Sequence, residues 1–237
     1  MKKILLSLFV IIGFSMNTNA QMWLTYKGGG GLATVGGSNG VQPGLAVFSG
    51  LGYKHQITKR LIAEGDVLFD IRALDYNTGY VDVDDNKIYN LGGGTYIQVP
   101  LTIQYMIPFK KKELVPYRVG QPTSYWFIEG GPYLSYGTAV NIYVDSTIVK
   151  NWSDQDNDIP ESDLVGNTID MGITTGLGIN FSIRDGKSRL IVGTRTNLGL
   201  LDIYRDSRLG SATNLSIVGY LALDFSLTKR KHIKHRW

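Results

Sequence analysis

Histidine is the side chain best suited to moving protons near neutral pH, and this 237-residue chain has three: His55, His232 and His235. Acyl transfer, lipid deacylation or proteolysis would set such a histidine beside Ser, Asp or Glu. Cysteine is absent, which excludes a thiol nucleophile, a disulfide framework and a Cys-ligated metal. Asp154, Asp156 and Asp158 alternate as the first oxygen ligands of a calcium loop do. However, Ile159 stands where an EF-hand has Gly, and Val165 where it has Glu. A solvated acidic loop is therefore the preferred reading, with these three aspartates only candidate calcium ligands; Asp82, Asp84 and Asp85 read the same way.

A third constellation consists of Lys54, Glu64, Asp66, Glu129, Arg189, Arg195 and Asp224. Each sits at a polar position of a segment that alternates apolar and polar residues, so one inner face would gather them. Charges taken out of water must be paired or neutralised. The set is read as a salt-bridged lumen core, with a proton or ion path as the sharper alternative.

The elements that must position these residues follow from a period of two. From Ile169 to Ile183 the odd positions are Ile, Met, Ile, Thr, Leu, Ile, Phe and Ile, against Asp, Gly, Thr, Gly, Gly, Asn and Ser between them. Residues 214–228 repeat the pattern, and so do 23–35, 44–57, 61–74, 95–109, 125–142 and 189–203. Within the first of these six, Gly28-Gly29-Gly30-Gly31 carries no pattern. Segments of about 15 residues exceed the usual strand of roughly 5–6 and suit a strand tilted across a bilayer. Charged residues are 19% of the chain, below the ~25% of soluble domains. Eight strands close the smallest outer-membrane barrel, and closure removes the edges that lipid would leave unsatisfied. The fold class is thus all-β, an eight-stranded antiparallel up-and-down transmembrane barrel. A soluble lipocalin-like barrel, apolar inside and wet outside, is the alternative.

Met1-Lys2-Lys3, an apolar run to Phe14 and Thr18-Asn19-Ala20 match a secretory signal over residues 1–20. The barrel then occupies 21–228 and a basic tail 229–237. Losing Lys2 and Lys3 lowers the formal charge from +4 to +2, too little for a nucleic-acid partner. Connections alternate: 58–60 and 184–188 are short and basic, whereas 75–94 and 145–167 are long and acidic. Short turns belong to the periplasm, so both termini are periplasmic and the acidic loops extracellular; the long basic connection 110–124 departs from that rule. On this topology His55 lies beside a periplasmic turn and His232 and His235 in the tail, away from the outer rim. No catalytic residue and no cofactor are expected. Tyr26, Tyr53, Tyr105, Trp126 and Tyr136 are candidate interfacial aromatics. Pro100 faces inward in a strand and suggests a bulge, and Gly130-Gly131 would permit close packing there.

The run Thr95-Tyr96-Ile97-Gln98-Val99-Pro100-Leu101, followed by Tyr105, resembles the fourth strand of the PorT-like outer-membrane β-barrel family. Gly130-Gly131-Pro132-Tyr133 is similar to that family's fifth-strand motif, and Gly199-Leu200-Leu201 to the end of its seventh. The resemblance spans the mature chain in order and departs at Gly28–Gly31. It implies a small outer-membrane barrel, some members being linked to protein secretion or grouped with porins, and it carries no catalytic residues. The expected function is structural or accessory, exercised through outer loops and a basic periplasmic face on outer-membrane lipid and protein partners of the envelope. A narrow passive porin is the alternative, and no oligomeric state follows.

Overall fold

The structure, a computed structural model, describes residues 21–36, 41–58, 60–81, 87–109, 124–141, 168–183, 187–202 and 213–227. The expected signal segment, the tail with His232 and His235, and Asp154, Asp156 and Asp158 lie outside those residues.

Alternation becomes strand at every predicted segment. The elements are β1 (Met22–Gly36), β2 (Val41–Gln42), β3 (Gly44–Gln56), β4 (Leu61–Val81), β5 (Lys87–Pro108), β6 (Tyr125–Asn141), β7 (Ile169–Ile183), β8 (Ser188–Gly199) and β9 (Thr213–Ser226). The two-residue β2 pairs with β4 beyond the end of β3, so β2 and β3 act as one stave. All neighbours are antiparallel, and β1 pairs with β9 from Trp23↔Ser226 to Gly36↔Thr213, which closes the sheet. The result is an eight-stave antiparallel barrel.

The stagger can be read from the ladder. Starting at Ile62, the pairings lead through Gln104, Glu129, Gly176, Arg195, Val218, Gly31 and Ala46 back to β4 at Arg72. One circuit climbs ten residues, from Ile62 to Arg72, consistent with the tilt of roughly 35–45° that closed barrels require. Because of that climb, side chains far apart in the ladder meet across the lumen.

Polarity is inverted relative to a soluble barrel. Leu32, Leu45, Leu101, Leu177 and Leu221 stand more than half exposed on the outer face, while Lys27, Lys54, Asp66, Arg195 and Asp224 are nearly inaccessible inside. This rules out the lipocalin arrangement. Soluble monomers rarely expose contiguous apolar patches beyond a few hundred Å², and here every stave contributes to one. The five candidate interfacial aromatics all point outward, and Trp126 meets Phe109 edge-on at 5.8 Å.

Two expectations change, and the strand expected through Gly28–Gly31 is borne out. Residues 75–94 are not simply a loop: β4 and β5 continue as a paired ribbon to Val81↔Lys87, past the last β6 partner at Asn141. The Gly-rich stretch belongs to β1, because Gly29 and Gly31 face inward, where a Cβ would collide with the Gly219 and Ile217 carbonyls across the seam. The bulge falls at Thr95/Tyr96 and not at Pro100, whose register with Tyr133 matches that of Gln98 and Ile103 with β6. Pro100 is accommodated by a gap in the ladder: Asp66 and Val67 lack partners on β5, while Gly131 gives up its Cβ to the nearby Leu101 carbonyl.

Candidate functional site

The inward parity of β4 sets Glu64 and Asp66 two residues apart on one face. Lys27 reaches them from β1, its Nζ 2.6 Å from Glu64 Oε1 and 2.8 Å from Asp66 Oδ2. Arg195 on β8 spans the lumen, with Nη1 3.1 Å from Asp66 Oδ2, and with Nη2 and Nε 2.9 and 3.0 Å from Glu129 Oε1. Lys54 donates to both Asp224 oxygens at 3.1 and 3.2 Å, and Thr25 donates to the same carboxylate at 2.7 Å. The Gln104 amide bridges the second oxygens of the two glutamates, donating to Glu64 Oε2 at 2.5 Å and to Glu129 Oε2 at 2.8 Å, while Asp66 Oδ1 is buried without a hydrogen-bond partner.

These groups come from β1, β3, β4, β5, β6, β8 and β9. The eighth stave, β7, contributes Gly176, and a Cβ there would press on Glu129 Oε1 at 2.9 Å. Each carboxylate gains a cation or several donors, which is what makes buried charge tolerable. The arrangement is a cross-brace: it holds opposite walls together and fills the lumen. His55 lies apart from it, at the terminal end of β3, opposite Met22 and Ala63.

Of the seven predicted lumen charges, the structure brings together Lys54, Glu64, Asp66, Glu129, Arg195 and Asp224. Arg189 is the correction. Although its register partner is Asp224, its guanidinium lies 3.9 Å over the Trp23 ring and donates to the Tyr125 hydroxyl at 3.3 Å and to Gln21 Oε1 at 3.4 Å. A planar cation is well matched to an aromatic face, and Lys54 already occupies Asp224. With Ile62, Met106, Phe127 and Ile191 buried nearby, this stack forms an apolar floor at the end where the termini enter.

A second cluster lies toward the other end. Arg72 grips Asp70 through Nε at 2.8 Å and Nη2 at 2.7 Å, and stacks 4.8 Å from the Tyr96 ring centre. Asp170 Oδ2 accepts from Tyr133 Oη and Asn214 Nδ2, each at 3.0 Å, with Arg72 Nη1 farther off at 3.6 Å.

No protein-family model matches the chain, and no curated protein does. Among solved structures, the chain is similar to the N-terminal β-barrel domain of Pseudomonas aeruginosa OprF, at 11% identity and a TM-score of 0.42, covering 88% of this chain and 98% of that one. It is also similar to Ail, the attachment invasion locus protein of Yersinia pestis, in complex with the heparin analogue sucrose octasulfate, at 10% identity and 0.39, covering 88% and 99%. Neisserial surface protein A is a third, at 8% identity and 0.41, covering 85% and 97%.

Sequence reasoning omits Lys27, Gln104 and the Asp70–Arg72–Asp170 cluster. The signal for Lys27 is parity: Trp23, Thr25 and Lys27 share the inward face, and the following glycines hide the continuation. Asp70, Arg72 and Asp170 each occupy a polar position of an alternating run, but only the ten-residue climb brings β4 and β7 to the same place.

Proposed function

We propose that this chain is an outer-membrane barrel of the PorT-like kind with a structural or accessory role, held in lipid by its outer belt and acting on protein partners of the envelope through loops and termini. The observation that carries the reading is the cross-brace, which occupies the middle of the lumen above an aromatic floor and uses charges from six of eight staves and the Gln104 amide from a seventh. An eight-stranded interior is just wide enough for side chains to fill, and here paired charges fill it. The apolar exterior supports a membrane location, because lipid alone relieves the cost of so much exposed apolar surface.

The same features support a non-enzymatic role. The charges of the cross-brace are spent on bracing, and His55 lies at the terminal end of the barrel rather than at the loop rim. The periplasmic placement of both termini and the link to secretion rest on the loop pattern and the family resemblance.

Conductance tests the reading. Purified protein in planar bilayers is expected to give no sustained large conductance, and liposomes carrying it are expected to remain impermeable to small sugars. Stable solute-permeable channels from the unmodified protein overturn it and establish the alternative, a narrow passive porin.

A further inference from the structure

The outer cluster is not electrically closed. Arg72 is committed to Asp70 by two short contacts, and its Nη1 stays 3.6 Å from Asp170, beyond hydrogen-bond length. Asp170 therefore meets only neutral donors at hydrogen-bond distance, Tyr133 and Asn214, and both address Oδ2. Its Oδ1 is buried with no partner. A buried carboxylate oxygen facing nothing is among the costliest groups a barrel interior can hold.

A second buried oxygen without a partner lies beside it. Ser135 on β6 is the register partner of Asp170 on β7, is fully buried and has no hydrogen bond through Oγ. Directly opposed inward residues carry their Cβ atoms about 4.5–5.5 Å apart, so Ser135 and Asp170 are neighbours in the lumen, with Gln98 of β5, the other register partner of Ser135, buried and its Nε2 unpartnered on the far side. On the other flank Gly199 has no side chain. A Cβ there would come within 3.0 Å of the Asn214 backbone nitrogen and of Asp170 Oδ1, and within 3.1 Å of the Asn214 carbonyl oxygen. The niche at Asp170 Oδ1 is thus edged by a carboxylate oxygen, a hydroxyl, a backbone carbonyl and the Asn214 backbone N–H, and the glycine leaves space tighter than a methyl group would occupy without its neighbours giving way.

We infer that the outer lumen binds a monovalent metal cation of the Na⁺ class between Asp170 Oδ1 and Ser135 Oγ, beside Gly199. Oxygen donors of this kind suit hard cations. The charge count selects the valence: Asp70 and Asp170 against Arg72 leave one negative charge. Among the described residues no three His, Cys, Asp or Glu side chains gather as a multivalent site would require. The ion closes the charge balance of the outer cluster and ties β6 to β7 above the cross-brace, a structural role separate from the reading of the barrel as accessory protein or porin.

Thermal unfolding of the folded, detergent-solubilised protein tests this. Melting is followed as Na⁺ replaces tetramethylammonium, too bulky for the niche, at constant ionic strength. Ligand that binds only the folded state raises stability in a saturable way, so Tm is expected to climb and level off with Na⁺. Asp170→Asn is expected to abolish the response, and Ser135→Ala, which breaks no existing hydrogen bond, to weaken the apparent Na⁺ affinity roughly tenfold, the loss of one buried oxygen ligand. Should Asp170→Asn fail to fold, Ser135→Ala carries the comparison, and Tl⁺ in crystals of the unmodified protein is expected to give an anomalous peak beside Asp170. No Na⁺ response in the unmodified protein, or a response of equal size in Ser135→Ala, overturns the site. Stability that rises on acidification without answering to Na⁺ does so too, since a proton then does the neutralising.

Discussion

Removing Arg195 should destabilise the barrel more than removing any other single lumen cation. Its side chain is 1% exposed and serves two carboxylates, Asp66 and Glu129, at 2.9–3.1 Å. Breaking a buried pair from one side costs about 3–5 kcal/mol, because the orphaned charge stays buried. Two observations pull toward the lower end: Asp66 keeps Lys27 at 2.8 Å, and Glu129 keeps Gln104 at 2.8 Å. Arg195→Ala is therefore expected to lose about 3 kcal/mol, roughly a hundredfold in the folding equilibrium constant. Arg189→Ala serves as the internal comparison, since it loses stacking on Trp23 rather than a carboxylate partner and should cost only about 1–2 kcal/mol. Combining Arg195→Met with Glu129→Gln removes the pair from both sides and should recover at least half of the single-site loss. Equilibrium urea unfolding in lipid vesicles, read by tryptophan fluorescence and by the gel shift between unheated and boiled samples, supplies the three numbers. A cost below about 1 kcal/mol for Arg195→Ala, or a double variant weaker than the single one, would refute the cross-brace as the element that binds the walls together.

Three further expectations follow from the geometry. Leu177→Arg, on the outer face, should cost about 2–4 kcal/mol near the bilayer midplane, while Thr174→Arg, fully buried in the lumen, should instead block assembly by crowding; equal tolerance of both in a folding assay would contradict the inside-out polarity. Gly29→Ala should impair closure of the β1–β9 seam by about 1–3 kcal/mol, whereas at Gly30 a Cβ meets nothing closer than 3.4 Å and Gly30→Ala should stay within about 0.5 kcal/mol, as unheated gel migration would reveal. Protease on intact cells should cut within 145–167 while a tag after Trp237 escapes labelling; labelling of that tag reverses the orientation.

The barrel was legible in the sequence because period two is a local property: each run from Ile169 to Ile183 or from Leu215 to Leu227 declares its two faces without reference to a neighbour. Membership of the lumen was legible for the same reason, since inward parity alone nominates Lys54, Glu64, Asp66, Glu129, Arg195 and Asp224. Pairing was not. Which cation meets which carboxylate depends on the ten-residue climb around the ladder, and that number is fixed by how eight registers add up. Arg189 marks the limit: parity puts it inside and opposite Asp224, yet an aromatic ring on β1 and an already occupied carboxylate send it elsewhere. The Gly-rich part of β1 failed as a pattern for a related reason, because its inward glycines answer to the backbone of β9 across a seam that the sequence joins only at its two ends.

The distribution of charge along the lumen bears on what kind of barrel this is. An open pore keeps its inward charges hydrated, and they have no need of mutual partners at bonding distance. Here Lys27, Lys54 and Arg195 are each within 3.1 Å of a carboxylate; of the described buried cations outside that brace, Arg72 is held by Asp70 at 2.7 Å and Arg189 is flattened against an aromatic floor. Opening a path would require separating at least the Arg195 bridge from Asp66 and Glu129 together, at the cost worked out above. That cost is of the same order as a large part of a small domain's stability, roughly 5–15 kcal/mol. Conduction and folding therefore compete for the same ion pairs, and a chain selected to conduct would be expected to line its lumen differently from this one.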